Sequence, residues 1–427
     1  MKLNGSPVKF ISDIISVKSV GADPIPGAPY GAESRRVLEV FLNKAREMGF
    51  ETGVFNDKVG FCDYGSGDKL IAILCHLDVV PAGDGWETDP FTLTIKDDAF
   101  YGRGIVDDKG PACASLFVLE KIKNDAVKLN ARLRLILGTD EERTCGCMEE
   151  YVNNPDTIIP TYGITPDAEF PAIFAEKGIL QATFTAQGIN GLKVHGGSAA
   201  NMVPAVCKAD MNGFEITETG KPAHASRPEL GINAITKFVE EHFFKCESFD
   251  FIKYYFLNDH IEELTGCDFK DISGPLTANL GIIDIDNDHQ SITIDIRYPA
   301  TYPYEDLKSA LDQAAFKFGL KGEYDKHHMK PIVFDKESKQ ISSVMKAWNR
   351  NKDRFDGYKK EHASFDEAIA IGGGTYARHV PNVVAFGPQT PWSEDQCHQA
   401  NEHMSINDFE VLIDVIYEAI LELNSSL

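Results

Sequence analysis

Histidines and carboxylates recur along this chain just beyond runs that read as β-strands. Cys75-His76-Leu77-Asp78 follows the apolar run Leu70-Ile71-Ala72-Ile73-Leu74, and Asp140-Glu141-Glu142 follows Leu133-Arg134-Leu135-Ile136-Leu137. Asp107-Asp108-Lys109-Gly110 stands between them. Asp167 follows Tyr162-Gly163-Ile164, and His398 follows Val383-Val384-Ala385-Phe386 after a Gly/Pro-rich loop. In open α/β sheets, ligands bind beyond the carboxyl ends of the strands. These segments therefore predict one polar site assembled from distant parts of the chain. Imidazole and carboxylate without thiolate suit zinc, manganese or cobalt in hydrolysis. Two such ions about 3.5–4 Å apart can share a water and lower its pKa. One carboxylate must then bridge them and another must accept the water's proton. The adjacent Glu141 and Glu142 can divide such roles because they leave a strand end pointing different ways.

Each residue also has a plainer reading. A Glu-Glu pair alone is a solvated turn, His76 alone a core histidine satisfied by Asp78, and His398 alone a surface residue with His403 as a rival. His224, between Gly220 and Ser226, reads as a solvated turn histidine, and Arg297 as the exposed salt-bridge end of an alternating strand. Arg378 reads equally as structural or substrate-binding. His195, His242, His260, His289, His327, His328, His362 and His379 read as surface residues. Gly372-Gly373-Gly374 lacks the lysine and Ser/Thr of a phosphate loop and instead lets the backbone approach a ligand closely.

The elements that must position these groups alternate between strand and helix up to about residue 177, the pattern of an α/β layer with a largely parallel sheet. Val37, Val40, Phe41 and Ala45 form a helical stripe over Glu33 to Met48. Pro111 opens a second helix, which puts Asp107 just ahead of its start. From Gly178 the texture changes: Ile179 to Phe184 and Ser291 to Arg297 alternate as antiparallel strands do. Helices are expected over Asn233 to Phe244 and Glu305 to Phe318. After Phe334 the α/β texture returns, with helices from Ser338 to Arg350 and from Asn407 to Leu423. His398 lies beyond the α+β segment and the other candidate ligands lie before it. Residues 1–177 and 335–427 are therefore expected to form one catalytic domain, interrupted by an inserted α+β lid at 178–334.

Composition narrows the classes. A hydrophobic fraction of 43% and a charged fraction of 25% in 427 residues are ordinary for a folded protein. A formal charge of −23 argues against nucleic acid or an anionic membrane as partner. The start, Met1-Lys2-Leu3-Asn4-Gly5, lacks the pattern of a signal peptide, and no apolar run reaches membrane-spanning length. Nine cysteines without regular spacing suggest reduced thiols and a cytoplasmic location. Cys145-x-Cys147 has no second pair at zinc-ribbon spacing.

The motifs His76-Leu77-Asp78-Val79-Val80-Pro81, Gly102 to Gly110 and Asp140-Glu141-Glu142 resemble those of the M20 metallopeptidase family. Within it, Asn201-Met202-Val203-Pro204, Gly220 to His224, Arg297-Tyr298-Pro299 and Gly373 to Arg378 are similar to the PepV-like bacterial dipeptidases. The resemblance implies two divalent metals, zinc first and manganese or cobalt as alternatives. His76 and Asp167 would hold one, Glu142 and His398 the other, and Asp107 would bridge them. It further implies that Asp78 hydrogen-bonds the far nitrogen of His76, that Glu141 is the general base, and that the Asp107–Asp108 peptide is cis. His224 would steady the oxyanion, Arg297 would clamp the substrate carboxylate with Asn201 assisting, and Gly373 and Arg378 would line the substrate. The lid stretch from Asn201 to His224 is short for this subfamily.

The expectation is thus a dipeptidase acting on dipeptides or very short peptides with a free amino end. It is expected as a monomer, with a homodimer as the alternative. An N-acyl-amino-acid deacylase of the same clan is the nearest alternative activity. A non-catalytic metal- or peptide-binding protein is the alternative of a different kind, and it has no use for Glu141.

Overall fold

The computed structural model describes residues 3–242, 244–325 and 328–427. It therefore leaves His327, and the Phe243 near the end of one expected helix, outside the described residues. Two compact units emerge. The first comprises residues 1–174, 334–369 and 375–427; the second comprises 175–333 and 370–374.

The first unit is built on a mixed sheet. Its strands lie in the order Glu51–Phe55, Val59–Tyr64, Arg132–Gly138, Leu70–His76, Tyr162–Thr165, Val383–Ala385 and Ile173–Glu176. The four from Arg132–Gly138 to Val383–Ala385 run parallel, and the flanking pairings are antiparallel. Leu70–His76 is buried at every position, as expected of a central parallel strand covered on both faces. This explains why its sequence is a continuous apolar run rather than an alternation. Register aligns the strand ends: His76 faces Gly138, and Ala385 faces Thr165. The residues just past these ends therefore share one edge, at the point where ligands gather in open α/β sheets.

Helix Lys109–Asn124 joins Leu70–His76 to its parallel neighbour and is buried along nearly its whole first half. It begins two residues before Pro111, with Asp108 as its N-cap residue. Helix Lys339–Asn351 starts at Ser338, whose side chain accepts from Ile341 N–H, and the closing helix Ile406–Ser425 starts at Ser405 in the same way. Such hydroxyl caps satisfy amides that would otherwise lack partners. Phe170 stacks on Trp348 at 4.6 Å and meets Phe386 edge-on at 4.8 Å, tying the helix to the sheet. Across the paired strands, Arg134 is held bidentately by Asp63 at 2.7 and 2.8 Å.

The second unit is α+β. Seven strands, all antiparallel, lie in the order Phe214–Thr219, Val206–Met211, Leu192–Gly196, Thr277–Ile285, His289–Tyr298, Gly178–Gln187 and Lys321–Tyr324. Gly178–Gln187 alternates buried and half-buried positions, the mark of a sheet with one packed face. Helices Ala234–Glu241, Glu247–Ile252 and Tyr304–Lys317 contribute to its apolar core, with Phe184, Phe238, Phe251 and Leu311 among the buried residues.

Residues 370–374 join this unit, although Gly373 reads from the sequence as part of the catalytic segment. Lys177 N–H donates to Ile371 O at 3.1 Å, and Arg297 Nη1 donates to Gly372 O at 3.1 Å. The two neighbouring glycines differ in their surroundings. A Cβ on Gly373 would meet only Ile371 Cδ1 at 3.8 Å, whereas at Gly372 it would press on Ser226 Cβ at 3.2 Å.

Candidate active site

At the strand edge of the first unit, six of the anticipated side chains converge. His76, the last residue of its strand, is fully buried. Its Nε2 lies 2.9 Å from Asp107 Oδ1 and 3.7 Å from Asp167 Oδ1. His398 Nε2 lies 3.2 Å from Asp107 Oδ2 and 3.1 Å from Glu142 Oε2. Asp107 thus faces one imidazole with each oxygen. The donor atoms of His76, Asp107 and Glu142, and those of His76, Glu141 and Asp167, each fall within 4.8 Å of one another. His403, the rival to His398, instead stacks on Tyr101 at 4.8 Å.

Local structure explains each placement. Asp107 does not follow a strand directly; it ends a loop that begins at Gly102 and is closed by a cis Asp107–Asp108 peptide. Gly104 adopts φ +91°, and a Cβ there would press on Lys109 and Val79 at 3.0 Å. A Cβ on Gly110 would run into Ile105 O, so the helix start can approach the loop only without a side chain. Asp108 is turned away, its Oδ2 accepting from His76 N–H at 2.9 Å.

Asp78 plays a broader part than the sequence suggests. His76 Nδ1 meets the Asp78 backbone carbonyl at 3.0 Å, and the carboxylate lies farther away at 3.5 Å. That carboxylate accepts instead from the Glu141 and Glu142 N–H groups at 3.1 and 3.0 Å. A carbonyl can only accept, so Nδ1 must carry the proton and Nε2 is left to face Asp107 and Asp167. One residue therefore sets the tautomer of His76 and pins the turn that carries both glutamates.

The electrostatics are those of a cation site. Burial opposes a charge on His76, but Asp167, then Asp107 and Asp78, outweigh it and raise its pKa well above the usual histidine value. Hydrogen bonds to Asp107 and Glu142 raise His398 to about 10. Burial, then the charge of Asp167, pushes Glu141 well up, and burial also raises Glu142 and Asp167. Glu142 Oε1 is buried without a hydrogen-bond partner, a costly state for a carboxylate oxygen. A crowd of carboxylates held together by protonated histidines fits divalent cations, which would take the protons' place.

This has a measurable consequence. A folded-state value raised from 6.5 to about 10 means that the stability from the charged His398 is complete below pH 6.5 and lost as pH rises through about 10. At pH 8 the chelator-stripped protein should hold that proton, and cation binding must expel it. Calorimetric titration with zinc in two buffers of different ionisation enthalpy should report at least one proton released, with affinity weakening in acid. Binding without proton release would remove the cation-site reading of His398.

In the second unit, the segments bearing Asn201 and His224 run side by side: Ala225 N–H donates to Asn201 O at 2.9 Å, and Met202 bridges to His224. Ser226 N–H donates to His224 Nδ1 at 3.2 Å, and the Ser226 hydroxyl sits 2.7 Å from the same nitrogen. Nδ1 is therefore an acceptor and Nε2 the protonated nitrogen. Arg297 is buried rather than exposed, at 4%. Asp295 holds its guanidinium at 2.5 and 3.2 Å. Arg378 lies in the short helical turn Tyr376–His379 of the first unit.

Five histidines that read as surface residues lie against rings. His328 stacks on Tyr304 at 4.0 Å, His260 on Tyr254 at 4.4 Å and His362 on Trp392 at 4.7 Å, while His242 meets Phe238 at 4.8 Å and His379 meets Tyr376 at 6.2 Å. All nine cysteines are free thiols. Cys147 Sγ lies 3.1 Å from Tyr376 Oη, and Tyr376 meets the His76 ring edge-on at 5.9 Å. Tyr376, inside the Gly373–Arg378 motif but given no role there, and the buried Glu402, which accepts from Asp107 N–H at 3.2 Å, adjoin the site without being assigned to it from the sequence.

This fold and this edge of convergent ligands define a class, and comparison with known proteins names it. Residues 72–422 match peptidase family M20/M25/M40, and the chain belongs to that family. A relative from Staphylococcus epidermidis named "Putative dipeptidase" is 30% identical over 472 aligned positions, covering 97% of each chain. The "M20 family metallo-carboxypeptidase Sso-CP2 from Sulfolobus solfataricus" has the same fold, with a TM-score of 0.63 at 16% identity over 99% of this chain and 100% of that one. The Bacillus subtilis YXEP protein, described as "a Dinuclear Metal Binding Peptidase from M20 Family", aligns with a TM-score of 0.55 at 10% identity, covering 99% and 98%. The protein is thus a hydrolase acting on peptide bonds. Among the described residues, no helix is long and apolar enough to cross a membrane.

Proposed function

We propose that this peptidase hydrolyses dipeptides, or very short peptides with a free amino end, with two divalent cations as cofactors. The observation that carries the reading is Asp107, whose two oxygens face His76 and His398 separately within reach of Glu141, Glu142 and Asp167. His76, Asp107 and Asp167 would hold one ion, and Asp107, Glu142 and His398 the other. Zinc is the ion proposed, with manganese and cobalt as competitors, since ligand type alone does not separate them. Lewis-acid polarisation of the scissile carbonyl and acidification of water are the chemistry such a pair supplies when bound.

The chain's own groups do the rest. Glu141 takes the proton of the attacking water and returns it to the leaving amine. Burial, then the charge of Asp167, raises its pKa above the usual glutamate value in the cation-free protein. Asp78 fixes the turn that aims Glu141. On the strength of the family pattern, His224 is assigned the developing oxyanion, which its protonated Nε2 suits, and Arg297 the substrate carboxylate with Asn201 beside it. Gly373 and Arg378 are assigned to the substrate's surroundings. The enzyme is proposed to work as a cytoplasmic monomer, with the second unit as its lid.

The deciding experiment is a rate comparison of unmodified dipeptides against N-acetylated amino acids, with zinc, manganese or cobalt added. Cleavage of dipeptides alone is expected, abolished by chelator and restored by metal. Preference for N-acetylated substrates would make the protein a deacylase, and full activity after exhaustive chelation would end the metal reading.

A further inference from the structure

Glu402 has no side-chain exposure at all, yet its carboxylate is not a candidate ligand for any cation. It lies inside the loop that delivers Asp107. Arg103 Nη1 donates to it at 2.8 Å, Val106 N–H at 2.8 Å and Asp107 N–H at 3.2 Å. Gly104 N–H is shared between its two oxygens at 3.1 and 3.0 Å. Successive backbone N–H groups curled around one anion make a nest, and here the anion comes from the chain itself.

The same residue ties in a second segment. Glu402 O accepts from Gly102 N–H at 3.1 Å, and His403–Ser405 pairs with Ala99–Tyr101. On the other side, Asn401 accepts from Glu87 N–H at 2.8 Å and donates to Gly85 O at 3.2 Å. His398 lies four positions before Glu402. One buried carboxylate therefore sets the loop of Asp107 against the segment of His398, the two residues that meet at 3.2 Å.

We propose that Glu402 is a positioning residue for the metal centre: it holds the backbone of the bridging Asp107 in register with His398. The inference rests on the two-cation reading of the site. Two acceptor oxygens are needed to serve Arg103 on one side and the loop amides on the other. A carboxamide of the same shape offers one oxygen and turns an NH2 toward a donor, so Glu402→Gln must release either the arginine or the loop.

The test measures cation affinity, not turnover. Chelator-stripped parent, Glu402→Gln and Glu402→Asp are titrated with zinc, and with cobalt followed by its visible absorption, in competition with a chromophoric chelator. Melting is recorded separately. Support would be a folded Glu402→Gln that binds about 10–100-fold more weakly, the usual cost of losing a group that orients a metal ligand. Glu402→Asp, which keeps the charge but shortens the reach, should fall between it and the parent. A purely structural role would lower the melting temperature and leave affinity at the parent level, which would overturn the proposal. Should Glu402→Gln fail to fold, parent-like affinity in Glu402→Asp would overturn it equally. A parent that takes up no cation would refute the two-cation reading, and the inference with it. A parent that binds two cations beside unaffected variants would refute the inference alone.

Discussion

Glu141→Ala should lose about 10²–10⁴-fold in kcat, the range for a positioned acid–base group, while keeping its full complement of metal. Asp107→Ala should instead lose the metal itself, because it deletes an oxygen facing each histidine. The contrast is sharp because the turn at Glu141 is anchored through its backbone: its N–H, and that of Glu142, donate to Asp78. Truncating the Glu141 side chain leaves those bonds in place. The specific rival is that Glu141 is itself a ligand, since its oxygen groups with donors of His76 and Asp167. Metal analysis of the two purified variants, alongside their steady-state rates on a dipeptide, separates the cases. Equal metal loss in both would make Glu141 a ligand rather than a base.

Arg297→Ala should damage the protein twice over. Asp295 is fully buried and takes two of the guanidinium's bonds, with a third going to Gly372 O. Removing the arginine strands a carboxylate in the interior, a change that costs about 3–5 kcal/mol in comparable buried pairs. Two N–H groups remain for a substrate carboxylate, so the same substitution should also raise KM for dipeptides. Arg297→Lys divides the effects: it leaves a cation beside Asp295 but removes the planar fork. It should unfold nearer the parent's denaturant midpoint and still show a raised KM. Denaturation curves for both variants, with kinetics on free and C-terminally amidated dipeptides, give the answer. Parent-like stability of Arg297→Ala would contradict the buried pair. Efficient cleavage of amidated dipeptides by the parent would rule out the carboxylate clamp.

The parallel strands were legible because burial on both faces leaves unbroken apolar runs, as in Leu70-Ile71-Ala72-Ile73-Leu74. Polar residues at their carboxyl ends then had one place to meet. Helix limits were legible to within a few residues where a capping residue announces them, as Ser338 and Asn233 do. Other members of the site carry no local signal. Glu402 serves a loop 295 positions away, and nothing in its neighbours distinguishes it from a surface glutamate. The stacking of His328 on Tyr304 and of His362 on Trp392 likewise depends on partners that periodicity cannot supply. Asp78 lies two residues from His76 in the chain, but the bonds of its carboxylate to the Glu141–Glu142 turn depend on where two parallel strands end. Gly372 and Gly373 look alike in the chain, and only packing against Ser226 tells them apart.

The position of Val383–Ala385 in the first unit has a consequence for how the chain is made. This strand lies between Tyr162–Thr165 and Ile173–Glu176, inside the sheet, although it comes near the end of the sequence. Synthesis releases the N-terminal segment first, so this sheet has a gap until the ribosome has passed residue 385. The second unit, drawn almost wholly from residues 175–333, has emerged well before then. The edge that gathers His76, Asp167 and the glutamates is thus completed last, by the same stretch of chain that brings His398 and Glu402. The nascent chain cannot assemble this edge until residues 398–402 have been made.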